Sequence, residues 1–212
     1  MASVKESRPV SAARARRHAR GIRLTVLLLA VTVLAVDQLS KRWAVSRLSG
    51  DRSISVLGDV LRLRLLYNPG AAFSMGTELT WVFTIVAAVA VVAVAAVAWR
   101  ARSRLWSIGL GLALGGVASH LLDRLFRDPG FARGHVVDFI DYSGLFVGNI
   151  ADIAIVGGFA LLAVMYLAGV PINPRNRRPA PAEPVPPADV PDTALLRGEP
   201  EKPSEHQDAW PL

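Results

Sequence analysis

No cysteine occurs in the 212 residues, which excludes disulfides, thiolate metal ligands and a cysteine nucleophile. No Gly-x-Ser-x-Gly element marks a serine nucleophile, and no His-Glu-x-x-His spacing marks a zinc helix. There is no internal repeat, so an inverted-repeat transporter finds no support. Charge is missing from Thr80 to Trp99, twenty consecutive residues. Proline is scarce until the end of the chain: eleven of the fourteen lie in 171–212, where large apolar residues are few. That composition predicts a disordered tail.

What is present is apolar. Hydrophobic residues make up 52% of the chain and its mean hydropathy is +0.36, too high for an ordinary soluble domain. One membrane domain with polar tails fits the length. The net charge of +7 would suggest nucleic acid in a soluble protein. Here the basic residues cluster beside apolar runs, and the positive-inside bias with anionic lipid accounts for them, so no nucleic-acid partner is expected.

Lys5, Arg8, Arg14, Arg16, Arg17, Arg20 and Arg23 precede the first apolar run and predict a disordered cytoplasmic arm. Leu24 to Val36 is uncharged but short, and resembles a signal-peptide core. Cleavage is not expected, because the helical pattern continues through Leu39, Trp43 and Leu48. Asp37 and Lys41 fall four apart on that helix in the favourable order. They form either an interfacial salt bridge at a helix end or a brace for a site at the outer surface. Residues 49–79 alternate partly, with Leu61, Leu63 and Leu65 around Arg62 and Arg64, which predicts short strands. Asn68-Pro69-Gly70 is a turn signal, and the small residues after it permit close backbone approach.

The second span, Thr80–Trp99, is about 30 Å long at about 1.5 Å per residue, the hydrocarbon thickness. Arg100, Arg102 and Arg104 follow it and mark the cytoplasmic side. The third span, Leu105–Leu122, carries Gly111, Gly115 and Ser119 at the spacing of close helix packing, with Gly116 widening that face. Asp123 and Arg124 end it, as caps or as site residues. The fourth span runs from Ile150 to Val170, with Asp152 in its first turn. Asp152 alone reads as a capping acid at a helix N-terminus. Asp138 lies in the strand-like run Val136–Ile140. Membrane-depth carboxylates cost roughly 2.5–3.5 kcal/mol each on insertion scales and are functional by default. Two that meet suggest a pair sharing one proton, as in water-activating aspartic proteases.

The predicted organisation is a basic cytoplasmic arm (1–21), a four-span membrane domain (22–170) with outer loops 49–79 and 123–149, and a Pro-rich cytoplasmic tail (171–212). Four crossings place both termini in the cytoplasm and the acidic residues of both loops outside. Three other classes fit parts of this pattern. A proton-coupled carrier also uses intramembrane carboxylates. A metal hydrolase would draw on His120, His135, Asp123 and Asp138. A scaffold without chemistry leaves the Asp138/Asp152 pair unexplained.

Five motifs in order over about 22–170 resemble the lipoprotein signal peptidase (signal peptidase II) family. They are Asp37-Gln38-x-x-Lys41, Asn68-x-Gly70-Ala71-Ala72-Phe73, Gly115-Gly116 followed by Asp123-Arg124, Val137-Asp138-Phe139, and Asn149-x-Ala151-Asp152. The resemblance implies a membrane α-helical fold of four transmembrane helices with a small extracytoplasmic β-rich region. It implies an aspartic endopeptidase of the bacterial cell membrane, active near the outer face, without metal or other cofactor. Its expected partners are membrane lipids and diacylglyceryl-modified prolipoproteins, which a monomer cuts before the lipidated cysteine. Asp138 and Asp152 become the implied catalytic pair. Asp37, Lys41, Asn68, Gly70, His120, Asp123, Arg124 and Asn149 become implied site-support or substrate-binding residues. The chain departs from the family pattern at His120, where asparagine is usual, at Ser119, where glycine is frequent, and at Gly148, where phenylalanine is common.

Overall fold

A computed structural model of the chain describes residues 8–70 and 80–174, with side chains from residue 16 onward. The first helix, α1, runs from Arg8 to Leu48. Residues 8–23, expected as part of a disordered arm, are therefore helical. Ala12, Ala13, Arg14, Arg16 and Arg17 are strong helix formers, and no proline separates them from the apolar run. The expected disorder of the tail from 175 on, and the small residues Ala71, Ala72 and Ser74, lie outside the described residues.

Three more helices follow: α2 (Thr80–Arg100), α3 (Arg104–Phe126) and α4 (Ile150–Leu167). All four are long and apolar enough to cross a membrane. Half of the residues in the apolar window of α3 are buried, against 17% in α2 and α4, so α3 is the central helix. Its glycines explain how neighbours come so close. A Cβ on Gly115 would stand 2.6 Å from the Ala30 carbonyl oxygen in α1, and one on Gly116 would stand 2.7 Å from the Ala151 oxygen in α4. Gly116 thus does not widen the Gly111/Gly115 face as expected; it serves a second flank, and α3 is clasped from both sides.

Four strands, β1 (Ser53–Leu57), β2 (Leu61–Asn68), β3 (Val136–Tyr142) and β4 (Phe146–Gly148), form one antiparallel sheet in that order. The α1–α2 and α3–α4 connections are thereby joined: Leu66 pairs with Asp138 and Asn68 with Val136. The sheet seats on the end of α1, where Phe139 packs with Ala44 and Leu48, flanked by Leu63, Leu65 and Ile140. The third helix extends four residues past its predicted end. Asp123 and Arg124 lie within its last turn and do not cap it, and the connection to β3 begins at Arg127, the C-cap, not at 123.

Candidate active site

Asp138 stands in β3 between the fully buried Val137 and the nearly buried Phe139, and is itself 2% exposed. Its Oδ2 accepts a hydrogen bond from Asn68 Nδ2 at 3.0 Å, and its Oδ1 accepts one from Asn149 Nδ2 at 2.6 Å. Asn68 is held at the end of β2 because its own Oδ1 accepts from Gly70 N, a local side-chain turn. Burial, the largest influence, together with the neighbouring Asp152 charge pushes the Asp138 carboxyl up to about 6, against the two asparagine amides that favour its charged form.

Asp152 enters from the first turn of α4. Asn149 is the N-cap: its Oδ1 accepts from Asp152 N at 3.1 Å, and Asp152 Oδ2 accepts from Asn149 N at 2.9 Å. This capping box fixes the Asp152 side chain. The plain capping role expected of Asp152 is real, yet it uses only one carboxylate oxygen. The other, Oδ1, lies 3.1 Å from His120 Nε2 of α3. The Asp152 side chain is 39% exposed, whereas Asp138 is shielded.

Both aspartates line a cavity of about 450 Å³. Asn68, His120 and Arg124 share its polar end, and Phe83, Val86 and Ala90 of α2, Val117 of α3 and Ile155 of α4 wall the rest. Arg124 anchors the turn after β2, donating to the Pro69 oxygen at 2.8 Å and to the Gly70 oxygen, and reaches the Gly134 oxygen before β3. Gly70 is buried under that contact and lines the same cavity.

Behind the cavity lies a second polar layer. Lys41 Nζ is 2.6 Å from Asp37 Oδ2 and 2.8 Å from Asp123 Oδ2, all three side chains having no exposure. The interfacial salt bridge considered for Asp37 and Lys41 is therefore excluded; the pair is interior. Asp123 also pairs with Arg127 at 2.6 Å, and Gln38 donates to Asp123 Oδ1 at 2.9 Å and to Ser119 Oγ at 2.9 Å. Asn68, Gly70, His120, Arg124, Asp138 and Asp152 thus meet at the cavity, Asn149 joins the two acids, and Asp37, Lys41 and Asp123 stand one layer back.

Sequence reasoning missed Arg127, whose signal was its position four residues after Asp123 on one helix. It also missed Phe146, a cavity-lining ring that stacks on Tyr142 at 4.5 Å and has no local sequence signal. Gln38 stood in a motif without a role. Among the described residues, no three His, Asp or Glu side chains are grouped to hold a metal ion.

Four membrane-length helices with one small antiparallel sheet and two aspartates lining one largely apolar cavity define a multi-pass membrane protein with a carboxylate-pair site. Residues 29–168 match the family described as Signal peptidase (SPase) II, and the chain belongs to that aspartic peptidase family. A lipoprotein signal peptidase of Rhodococcus jostii (strain RHA1) is 46% identical over 148 residues, 70% of this chain and 75% of the relative. One of Leifsonia xyli subsp. xyli is 39% identical over 178 residues, 83% and 82% of the two chains. One of Mycobacterium tuberculosis (strain H37Rv) is 42% identical over 159 residues, 74% and 79%. A bacterial membrane enzyme solved by the in meso method at 2.3 Å shares the fold with a TM-score of 0.62, at 23% identity over 75% of this chain and 94% of the other.

Proposed function

We propose that this chain is a membrane aspartic endopeptidase that removes signal peptides from prolipoproteins, with Asp138 and Asp152 as the catalytic pair. The observation that carries the assignment is the convergence of both carboxylates on one cavity, joined through Asn149. A proton-coupled carrier rested on intramembrane carboxylates alone, and membership of a peptidase family accounts for those.

In the working state the pair carries one proton, on Asp138, and Asp152 acts as the base, its oxygens facing Asn149 N and His120. Asp152 takes a proton from water as the water oxygen attacks the scissile carbonyl carbon, and Asp138 gives its proton to the carbonyl oxygen. The tetrahedral diol then collapses. The C–N bond breaks, Asp152 passes its proton to the leaving nitrogen, and Asp138 regains one from a hydroxyl. Proton count is conserved and no acyl-enzyme forms. The two apparent titrations belong to the pair.

The apolar walls from α2, α3 and α4 suit the acyl chains of a diacylglyceryl cysteine, so lipidated precursors and bilayer lipids are the partners. Selection then acts through binding at the cut site before that cysteine. The chain acts as a monomer in a bacterial cell membrane. Basic residues at Arg16, Arg17, Arg20 and Arg23 and at Arg100, Arg102 and Arg104 favour cytoplasmic termini, with the site near the outer face.

The test is cleavage of a diacylglyceryl-modified prolipoprotein by purified protein in detergent, beside Asp138→Asn and Asp152→Asn. The wild type cuts, and each folded variant loses activity. Sustained cleavage by either variant removes that aspartate from the chemistry.

A further inference from the structure

One residue ahead of each aspartate of the pair, a buried backbone N–H is held by a carboxylate from elsewhere in the chain. Val137 N donates to Asp123 Oδ2 at 3.3 Å, and Ala151 N donates to Asp37 Oδ1 at 2.8 Å. Val137 and Ala151 have no exposure. The two carboxylates then converge on one ammonium, Lys41 Nζ. Two short arms therefore run from Lys41, through Asp123 to the strand carrying Asp138 and through Asp37 to the helix carrying Asp152.

We propose that Lys41 is a positioning residue that sets the separation of Asp138 and Asp152. The inference rests on the assignment of those two as the catalytic pair.

Further donors hold both carboxylates in place. Ser119 Oγ donates to Asp37 Oδ2 at 2.7 Å, and Gln38 and Arg127 occupy Asp123 Oδ1. Two acids and two cations, Asp37, Asp123, Lys41 and Arg127, leave the cluster neutral. The compact Lys41 ammonium meets both acids as close ion pairs in a space with no exposure. Lys41 does not line the cavity, so it removes no substrate contact when changed. Its loss shifts the acids relative to each other, and a misplacement of about 1 Å costs on the order of 100-fold in rate.

Lys41→Met alone strands the Asp37 carboxylate, Asp123 keeping Arg127, so stability and geometry fall together. The double variant Lys41→Met/Asp37→Asn separates them. It restores charge balance, leaves Asp123 paired with Arg127, and keeps an acceptor for Ala151 N, but it removes the direct charged link between the arms and leaves only the neutral path through Ser119 and Gln38.

Both variants are assayed as full-length protein in detergent for unfolding temperature, kcat and KM on a lipidated prolipoprotein, beside wild type, Asp138→Asn and Asp152→Asn. The expected result is a double variant with unfolding near wild type, KM within about 3-fold and kcat lower by about 100-fold. Recovery of kcat together with stability in the double variant, wild-type kcat in folded Lys41→Met, or failure of both variants to fold would each make Lys41 a stability residue only and overturn the proposal. Retained cleavage by Asp138→Asn or Asp152→Asn would instead overturn the assignment of the pair.

Discussion

Asn149 donates its side-chain amide to Asp138 Oδ1 at 2.6 Å while its backbone N–H and side-chain oxygen close a capping box with Asp152. One residue thus ties a strand acid to a helix acid. The helix cap and the alignment of the pair are a single device, which gives Asn149 two separable energetic roles.

Asn149→Ala removes both. Loss of an N-cap costs about 1 kcal/mol of stability. Misalignment of the acids lowers kcat by roughly 100-fold. Unfolding in detergent and cleavage kinetics on one preparation test this. A variant that loses the stability yet cleaves at the wild-type rate would show that the amide does not align Asp138.

Asp138 imposes a pH dependence on stability. Its folded carboxyl is pushed up to about 6 from 3.8, first by burial. The folded state therefore binds a proton between these values that the unfolded chain does not. The stability this contributes is present at low pH, is lost as pH rises from about 4 to about 6, and stays lost above. The span corresponds to about 3 kcal/mol. Wild type should lose that much relative to Asp138→Asn between pH 4 and pH 7 in unfolding measurements, and a flat difference would contradict the burial effect.

His120 sits 3.1 Å from Asp152 Oδ1. If this close contact tightens to a hydrogen bond to the charged carboxylate in the transition state, losing it costs about 1.5–3 kcal/mol, roughly 10- to 100-fold in rate. His120→Ala should fall by that range. His120→Asn, which keeps a donor, should stay within about 10-fold of wild type. Equal rates for both variants would place His120 outside the chemistry.

Two glycines separate packing from helix propensity. A Cβ on Gly116 would meet the Ala151 oxygen at 2.7 Å, and backbone cannot yield as a side chain can. Gly116→Ala should destabilise by about 1–3 kcal/mol and impair cleavage, because Ala151 adjoins Asp152. Nothing lies within 4 Å of a Cβ on Gly157 in the same bundle. Gly157→Ala should gain about 0.5–1 kcal/mol and cleave normally. Loss of cleavage in the second, or none in the first, would refute this account of the α3–α4 contact.

The amino-acid sequence by itself determined the four spans, because uncharged runs of membrane length have few other stable fates, and the order of five short motifs carried the family. The strands of both interhelical connections were legible from alternation in 61–65 and from the apolar run 136–140. Their pairing with each other was not, and neither was the interior placement of Lys41 between Asp37 and Asp123. Those depend on partners far apart in the chain: Asp37 meets Ala151 across 114 residues, and Gln38 meets Asp123 across 85. Local periodicity says which face of an element is apolar, but a buried charge is placed by what three other elements bring to it. Only the tertiary structure decided that the acids and lysine of α1 and α3 would share one neutral interior cluster behind the cavity, since desolvating each charge is tolerable only where its counter-charge arrives with it.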